Sequence, residues 1–191
     1  IADKFSHSNI VCVDNELFET PNTAASLFVA LQKMKGPFYL MDGDLLFDHS
    51  LLRRLKNDDH ENVMIVDTDI NKLDEEAMKV ASDNAGKILR RGKHIPVKEA
   101  GGEFIGLAKF SGAWCDLLKK EMIQIQDQKK LDNLYYEDVI SGLLLNGPPL
   151  HILPVKNGQW AEVDTAEEYH FAISSLSPWG EGRVRGRANN D

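Results

Sequence analysis

The sequence predicts an α/β domain with a mostly parallel central sheet and helices on both faces. Short apolar runs, helical apolar spacing between them and Gly, Pro or Asn clusters at the joins predict it. The runs at residues 38–41 (FYLM), 62–66 (NVMIV) and 103–111 (EFIGLAKFS) show little polar alternation. Strands covered on both faces have that pattern, and parallel sheets are the usual place for them.

Taken in order, residues 9–14 (NIVCVD) form a short β-branched run that reads as a strand. Residues 23–34 place Ala24, Leu27, Leu31 and Met34 at helical spacing behind Asn22 as a cap, and Gly36-Pro37 breaks that helix. The strand at 38–41 runs into Asp42-Gly43-Asp44, where it leaves the sheet, and a helix over 50–56 returns the chain to the strand at 62–66. A hairpin over 76–81 and 87–91 turns at Asp83-Asn84-Ala85-Gly86. After the strand at 103–111 come helices over 114–126 and 136–145, the second stopped by Asn146-Gly147-Pro148-Pro149. Two strands, LHILPVK and WAEVD, follow on either side of Asn157-Gly158, and a helix over 165–174 closes the domain. Residues 1–174 therefore read as one domain, and 175–191, rich in Gly, Arg and Asn without apolar period, as a flexible tail or linker.

At 191 residues and 42% hydrophobic content the chain holds one full core. A net charge of −8 argues against nucleic acid as a partner, whose binding rests on clustered Lys and Arg. No run approaches the roughly 20 apolar residues of a membrane span, and no secretory leader is readable, so the expectation is a cytoplasmic protein off the membrane. Cys12 and Cys115 are far apart and read as buried free thiols rather than a metal or disulfide pair.

The chemistry lies in two short acidic pairs. Asp42-Gly43-Asp44 ends one strand, and Glu162-Val163-Asp164 follows Trp160. In an extended chain residues i and i+2 share a face, so Glu162 and Asp164 can present two carboxylates together while Val163 packs away. Hard cations such as Mg2+ take oxygen ligands of this kind and complete their shell with substrate phosphates and water. Each pair alone also fits a solvated turn, and the metal reading requires the pairs to converge in space.

Together these segments resemble the nucleotidyltransferases that join a nucleoside triphosphate to a phosphorylated sugar or small alcohol, above all the choline-phosphate and aminoethylphosphonate cytidylyltransferase branch. The likeness is carried by ETPNTAASLFVAL, FYLMDGDLLFD, GEFIGLAKFS, YYEDVISGLL and WAEVDTAEEYHFA in that order. It implies a nucleotide-diphospho-sugar transferase-like fold, with Asp44, Glu162 and Asp164 holding Mg2+. It further implies that Asn22, Ser26, Asp42 and Gly43 lie by the nucleotide, and that Glu103 and Gly106 border the acceptor pocket. The family opens with a strand and a Gly-rich loop that cradles the triphosphate, yet this chain has no Gly ahead of Gly36. The expectation is an N-terminally incomplete domain lacking the first strand and phosphate loop, with a fused or adjacent domain an open matter.

The implied reaction is transfer from a nucleoside triphosphate, CTP by the resemblance, to phosphocholine, aminoethylphosphonate or a sugar phosphate, releasing pyrophosphate. Asp42-Gly43-Asp44 also fits the Asp-x-Asp motif of a metal-dependent glycosyltransferase, and a non-catalytic nucleotide-binding remnant is a third reading. Tyr135, Tyr136 and Trp114 are aromatic candidates for an ammonium group, with core packing the competing role.

Overall fold

The computed structural model describes residues 10–15, 23–127, 131–155 and 159–175. In chain order the elements are α1 (Thr23–Leu31), β1 (Phe38–Met41), β2 (Leu45–Phe47), α2 (His49–Asn57), β3 (Val63–Asp67), β4 (Lys79–Ser82), β5 (Ile88–Arg91), β6 (Gly102–Phe110), α3 (Gly112–Asp127), α4 (Tyr136–Leu143), β7 (His151–Val155), β8 (Trp160–Glu162) and α5 (Ala166–Ser175). Short 3-10 turns join several of them.

The main sheet runs β5-β4-β6-β3-β7, with β1 also on β6. Both β1 and β3 are antiparallel to β6 and share its residues Ala108 and Lys109 as partners, so they flank it and run the same way. Among the described pairings only β3 with β7 is parallel. The sheet is therefore mixed rather than mostly parallel. The apolar runs revealed that β3 and β6 are covered on two faces, but an apolar run has no direction, and β6 is inserted against its neighbours.

Helices do cover both faces. Met64, Val66, Phe104, Ala108 and Phe110 point into a core shared with Leu27, Leu31, Trp114 and Leu118 of α1 and α3 and with Val139 and Ile140 of α4. The alternate residues Val63, Ile65, Ile105 and Leu107 pack against Leu51 and Leu55 of α2, four positions apart on one helix face. Each such fully buried leucine contributes about 1.5–3 kcal/mol relative to exposure. Asp48 caps α2 by accepting from the Ser50 N–H at 2.7 Å.

Local departures from the sequence reading have local causes. Residues 10–15 form no strand, and Ile10, Val11 and Val13 are exposed. A β-branched run needs a neighbouring strand, and none of the described strands pairs with it. Cys12 in that segment is exposed, whereas Cys115 is buried as expected. The helix read to residue 34 ends at Leu31, because the N–H groups of Lys33 and Met34 turn back three residues before Gly36 takes a φ of 80°. The β4–β5 hairpin forms about Asp83, whose carboxylate accepts from the Ala85 and Lys87 N–H groups at 2.9 Å each. No helix among the described residues is long and apolar enough to cross a membrane. The tail read at 175–191 lies, beyond Ser175, outside the described residues.

Candidate active site

β1, β3 and β7 end at one edge of the sheet, and a second, two-stranded sheet of β2 and β8 is anchored there. Leu45 pairs with Glu162, the Val163 N–H donates to the Asp44 carbonyl at 2.9 Å, and the Asp48 N–H donates to the Gln159 carbonyl at 2.8 Å. The Trp160 indole N–H donates to the buried Asp67 carboxylate at 2.9 Å, which ties β8 to the end of β3. This small antiparallel ribbon joins stretches of chain about 120 positions apart in sequence.

Its consequence is a carboxylate cluster. Asp44, Glu162 and Asp164 each offer an oxygen, and these oxygens lie within 4.8 Å of one another. Asp164 is held in place by the start of α5, a reciprocal cap. The Glu168 carboxylate accepts from the Asp164 and Thr165 N–H groups at 2.9 Å each, and the Glu168 N–H donates to Thr165 Oγ1 at 3.2 Å. Three hard oxygen donors, two of them exposed, suit a divalent cation that keeps room for phosphate and water.

Asp42 goes elsewhere. The Tyr136 hydroxyl donates to its carboxylate, 2.8 and 2.9 Å from the two oxygens, and its N–H donates to the Gly106 carbonyl at 3.0 Å. Gly106 has a φ of 84°, and a Cβ there would stand 2.5 Å from Asp42 Oδ2, so glycine is required for the carboxylate to lie against β6. Burial pushes the Asp42 carboxyl up to about 6; the Tyr136 bond opposes that, and the charges of Glu137, Asp44 and Glu162 add to it. A raised folded-state value means the ionised form destabilises the fold, so its cost grows as pH rises from 3.8 through about 6. Asp42→Asn, which keeps an oxygen for Tyr136, is expected to raise stability at pH 7 and to lose that advantage in acid. Denaturant titrations of both proteins across this pH range check it, and equal stability at every pH would refute the assignment.

The remaining candidates fall unevenly. Asn22 lies outside the described residues. Ser26 is exposed on α1 and accepts a hydrogen bond from the Asn15 side chain at 3.1 Å. Gly43 is exposed between the two aspartates, with nothing within 4 Å of where a Cβ would sit. Glu103 is half-buried opposite Asp67 at the same sheet edge as the cluster. Trp114 is a core residue with its N–H on the Pro148 carbonyl at 3.0 Å, and Tyr136 is buried, which leaves Tyr135 as the exposed aromatic of the three candidates. Lys109 stands opposite Val63 at the other end of β3, with its ammonium on the Asp58 carbonyl.

The sequence reading missed two features. The Thr-x-x-Glu cap at Thr165 was there to be read as a helix-start signal. Arg91, at the end of a hairpin strand beside Arg90, carried no signal, yet it is buried behind α4 with its guanidinium 3.1 Å from the Glu137 carbonyl.

No protein-family model matches the chain. Solved structures do share the fold. The inositol-1-phosphate CTP transferase of T. maritima aligns at a TM-score of 0.64 and 20% identity over 86% of this chain and 66% of that one. The CTP:phosphocholine cytidylyltransferase of Streptococcus pneumoniae aligns at 0.68 and 13% identity over 92% and 72%. A nucleoside-diphosphate-sugar pyrophosphorylase of Vibrio cholerae aligns at 0.53 and 12% identity over 80% and 65%. The chain thus has the nucleotide-diphospho-sugar transferase-like fold, and it spans about two thirds of the length of these proteins.

Proposed function

We propose that this chain belongs to an enzyme that transfers a nucleotidyl group from a nucleoside triphosphate, CTP by the stronger resemblance, to a small phosphorylated or phosphonate acceptor. The carrying observation is the gathering of Asp44, Glu162 and Asp164 oxygens within 4.8 Å at a sheet edge where strands end. The fold neighbours support it, since two of them are named for CTP-dependent transfer involving inositol phosphate or phosphocholine.

In this reading an acceptor oxygen, already anionic near neutral pH, bonds to the α-phosphorus while the bond from that phosphorus to the bridging oxygen of pyrophosphate breaks. No strong general base is needed, and rate comes from positioning and electrostatics. Asp44, Glu162 and Asp164 would hold Mg2+, which when bound neutralises charge developing on the phosphates. Tyr136 and Gly106 fix Asp42 beside that cluster. Asn22, Ser26 and Gly43 are proposed for the nucleotide side, and Glu103 for the acceptor side.

The Asp-x-Asp glycosyltransferase reading fares worse on one observation: Asp42 is engaged by Tyr136 and is not part of the described cluster that Asp44 shares with Glu162 and Asp164. The test is pyrophosphate release with each nucleoside triphosphate and phosphocholine, aminoethylphosphonate or inositol phosphate. Release should require both substrates, stop with a chelator and return with Mg2+. Transfer of sugar from a nucleotide sugar, or binding without turnover, would replace this reading with one of its rivals.

A further inference from the structure

Asp67 ends β3, a strand whose other residues are all apolar and buried, and it is itself only 6% exposed. A carboxylate buried there costs free energy unless donors meet it. Two do. The Asp69 N–H donates to Oδ1 at 2.9 Å in a local turn, and the Trp160 indole N–H, 93 positions along the chain, donates to Oδ2 at 2.9 Å. The first is a bond that an aspartate makes with its own backbone in many turns. The second leaves the main sheet and reaches the ribbon that carries the carboxylate cluster.

Trp160 and Glu162 stand two positions apart on β8 and so share a face. Trp160 packs against the α2-side core, and Glu162 is half-buried while Asp44 and Asp164 are exposed. Asp44 lies on the β2 side of the ribbon and Glu162 and Asp164 on the β8 side, so repulsion among the three carboxylates works to spread the ribbon where a cation would sit. Two contacts restrain β8 against that spreading. Beyond its far end the Asp164 N–H donates to Glu168, and at its near end the Trp160 indole donates to Asp67. The pairing of Leu45 with Glu162 joins the two ribbon strands to each other, whereas the indole bond fixes β8 on the end of β3.

We propose that Asp67 and Trp160 are positioning residues for divalent-cation binding: their hydrogen bond holds β8 on the end of β3, so that Glu162 and Asp164 face Asp44 before a cation arrives. The proposal rests on the nucleotidyl-transfer reading above and adds to it two residues that act through the carboxylates. Partners that orient metal ligands from outside commonly set the affinity of the site, although they do not touch the ion.

The experiment compares the full chain with Trp160→Phe, Asp67→Ala and the double variant. Free Mn2+ is followed by electron paramagnetic resonance well below the melting transition, and pyrophosphate release is followed at limiting and at excess Mg2+. Trp160→Phe keeps a ring in the core and removes the N–H, so it should melt a few degrees lower, bind Mn2+ on the order of 10-fold more weakly, and regain transfer at excess Mg2+. Asp67→Ala should weaken Mn2+ binding similarly, and the double variant should lie within about twofold of the weaker single variant, because both changes remove one bond. Unchanged Mn2+ affinity in a folded Trp160→Phe protein overturns the proposal, since a merely structural bond would lower the melting temperature alone. So do additive losses in the double variant, which would mean that Asp67 acts by its charge, and so does failure of both single variants to fold. Trp160→Phe alone decides if only Asp67→Ala fails to fold. A wild-type chain that binds Mn2+ yet releases no pyrophosphate with any substrate pair overturns the functional reading, and one that binds no Mn2+ overturns both.

Discussion

Asp44→Asn and Asp164→Asn should each reduce nucleotidyl transfer by about 100-fold or more, since each removes an anionic oxygen from the proposed metal site. The fold should not suffer. The Asp44, Glu162 and Asp164 oxygens sit within 4.8 Å of one another, and like charges held that close repel when no cation is bound. Melting temperature without metal should thus stay level or rise in both variants, while the stabilisation that added Mg2+ gives the wild type should shrink. The Asp44 backbone carbonyl, which takes the Val163 N–H, is untouched by the substitution, so the β2–β8 ribbon persists. Normal transfer in either variant, or a melting temperature that collapses in both, would remove the metal assignment.

The largest expected effect on stability lies at Gly102, where β6 begins between β3 and β4. A Cβ there would stand 2.3 Å from the Asp67 carbonyl oxygen and 2.6 Å from Val66 Cγ1. The first obstacle is backbone and cannot rotate away, unlike the Asp42 side chain facing Gly106. Gly102→Ala must part β6 from β3 near the Asp67–Glu103 pair, at a cost of about 3 kcal/mol. The Asp67 carboxylate also anchors Trp160, so transfer should fall along with stability. Denaturant unfolding measures the first effect, and a Gly102→Ala protein within about 0.5 kcal/mol of the wild type would show that β6 starts elsewhere.

The aspartate variants and the glycine variant probe different layers of the same edge. The carboxylate cluster depends on the β2–β8 ribbon, tied to the end of β3 through Trp160 and Asp67, whereas Gly102 depends on the sheet itself. Asp67 links them, since it closes β3 and accepts the Trp160 indole N–H. A loss at Gly102 is therefore expected to reach the cluster, while a loss at Asp44 is not expected to reach the sheet.

By itself the sequence determined the kinds of element, most of their positions, the two-sided cover of the sheet and the acidic residues of the candidate cluster. Each is written in local terms: the runs at β1, β3 and β6, the four-residue spacing of Leu51 and Leu55, and the i, i+2 spacing of Glu162 and Asp164. Tertiary structure alone decided the direction of β6, because an apolar run reads the same forwards and backwards. It decided that residues 10–15 are not a strand, because a strand exists only with a neighbour. It separated Asp42 from Asp44, since two carboxylates in Asp-Gly-Asp look equivalent until Tyr136, 94 residues away, takes one of them. It also buried Arg91 among a ring, a helix carbonyl and carboxylates brought together by packing rather than by spacing along the chain.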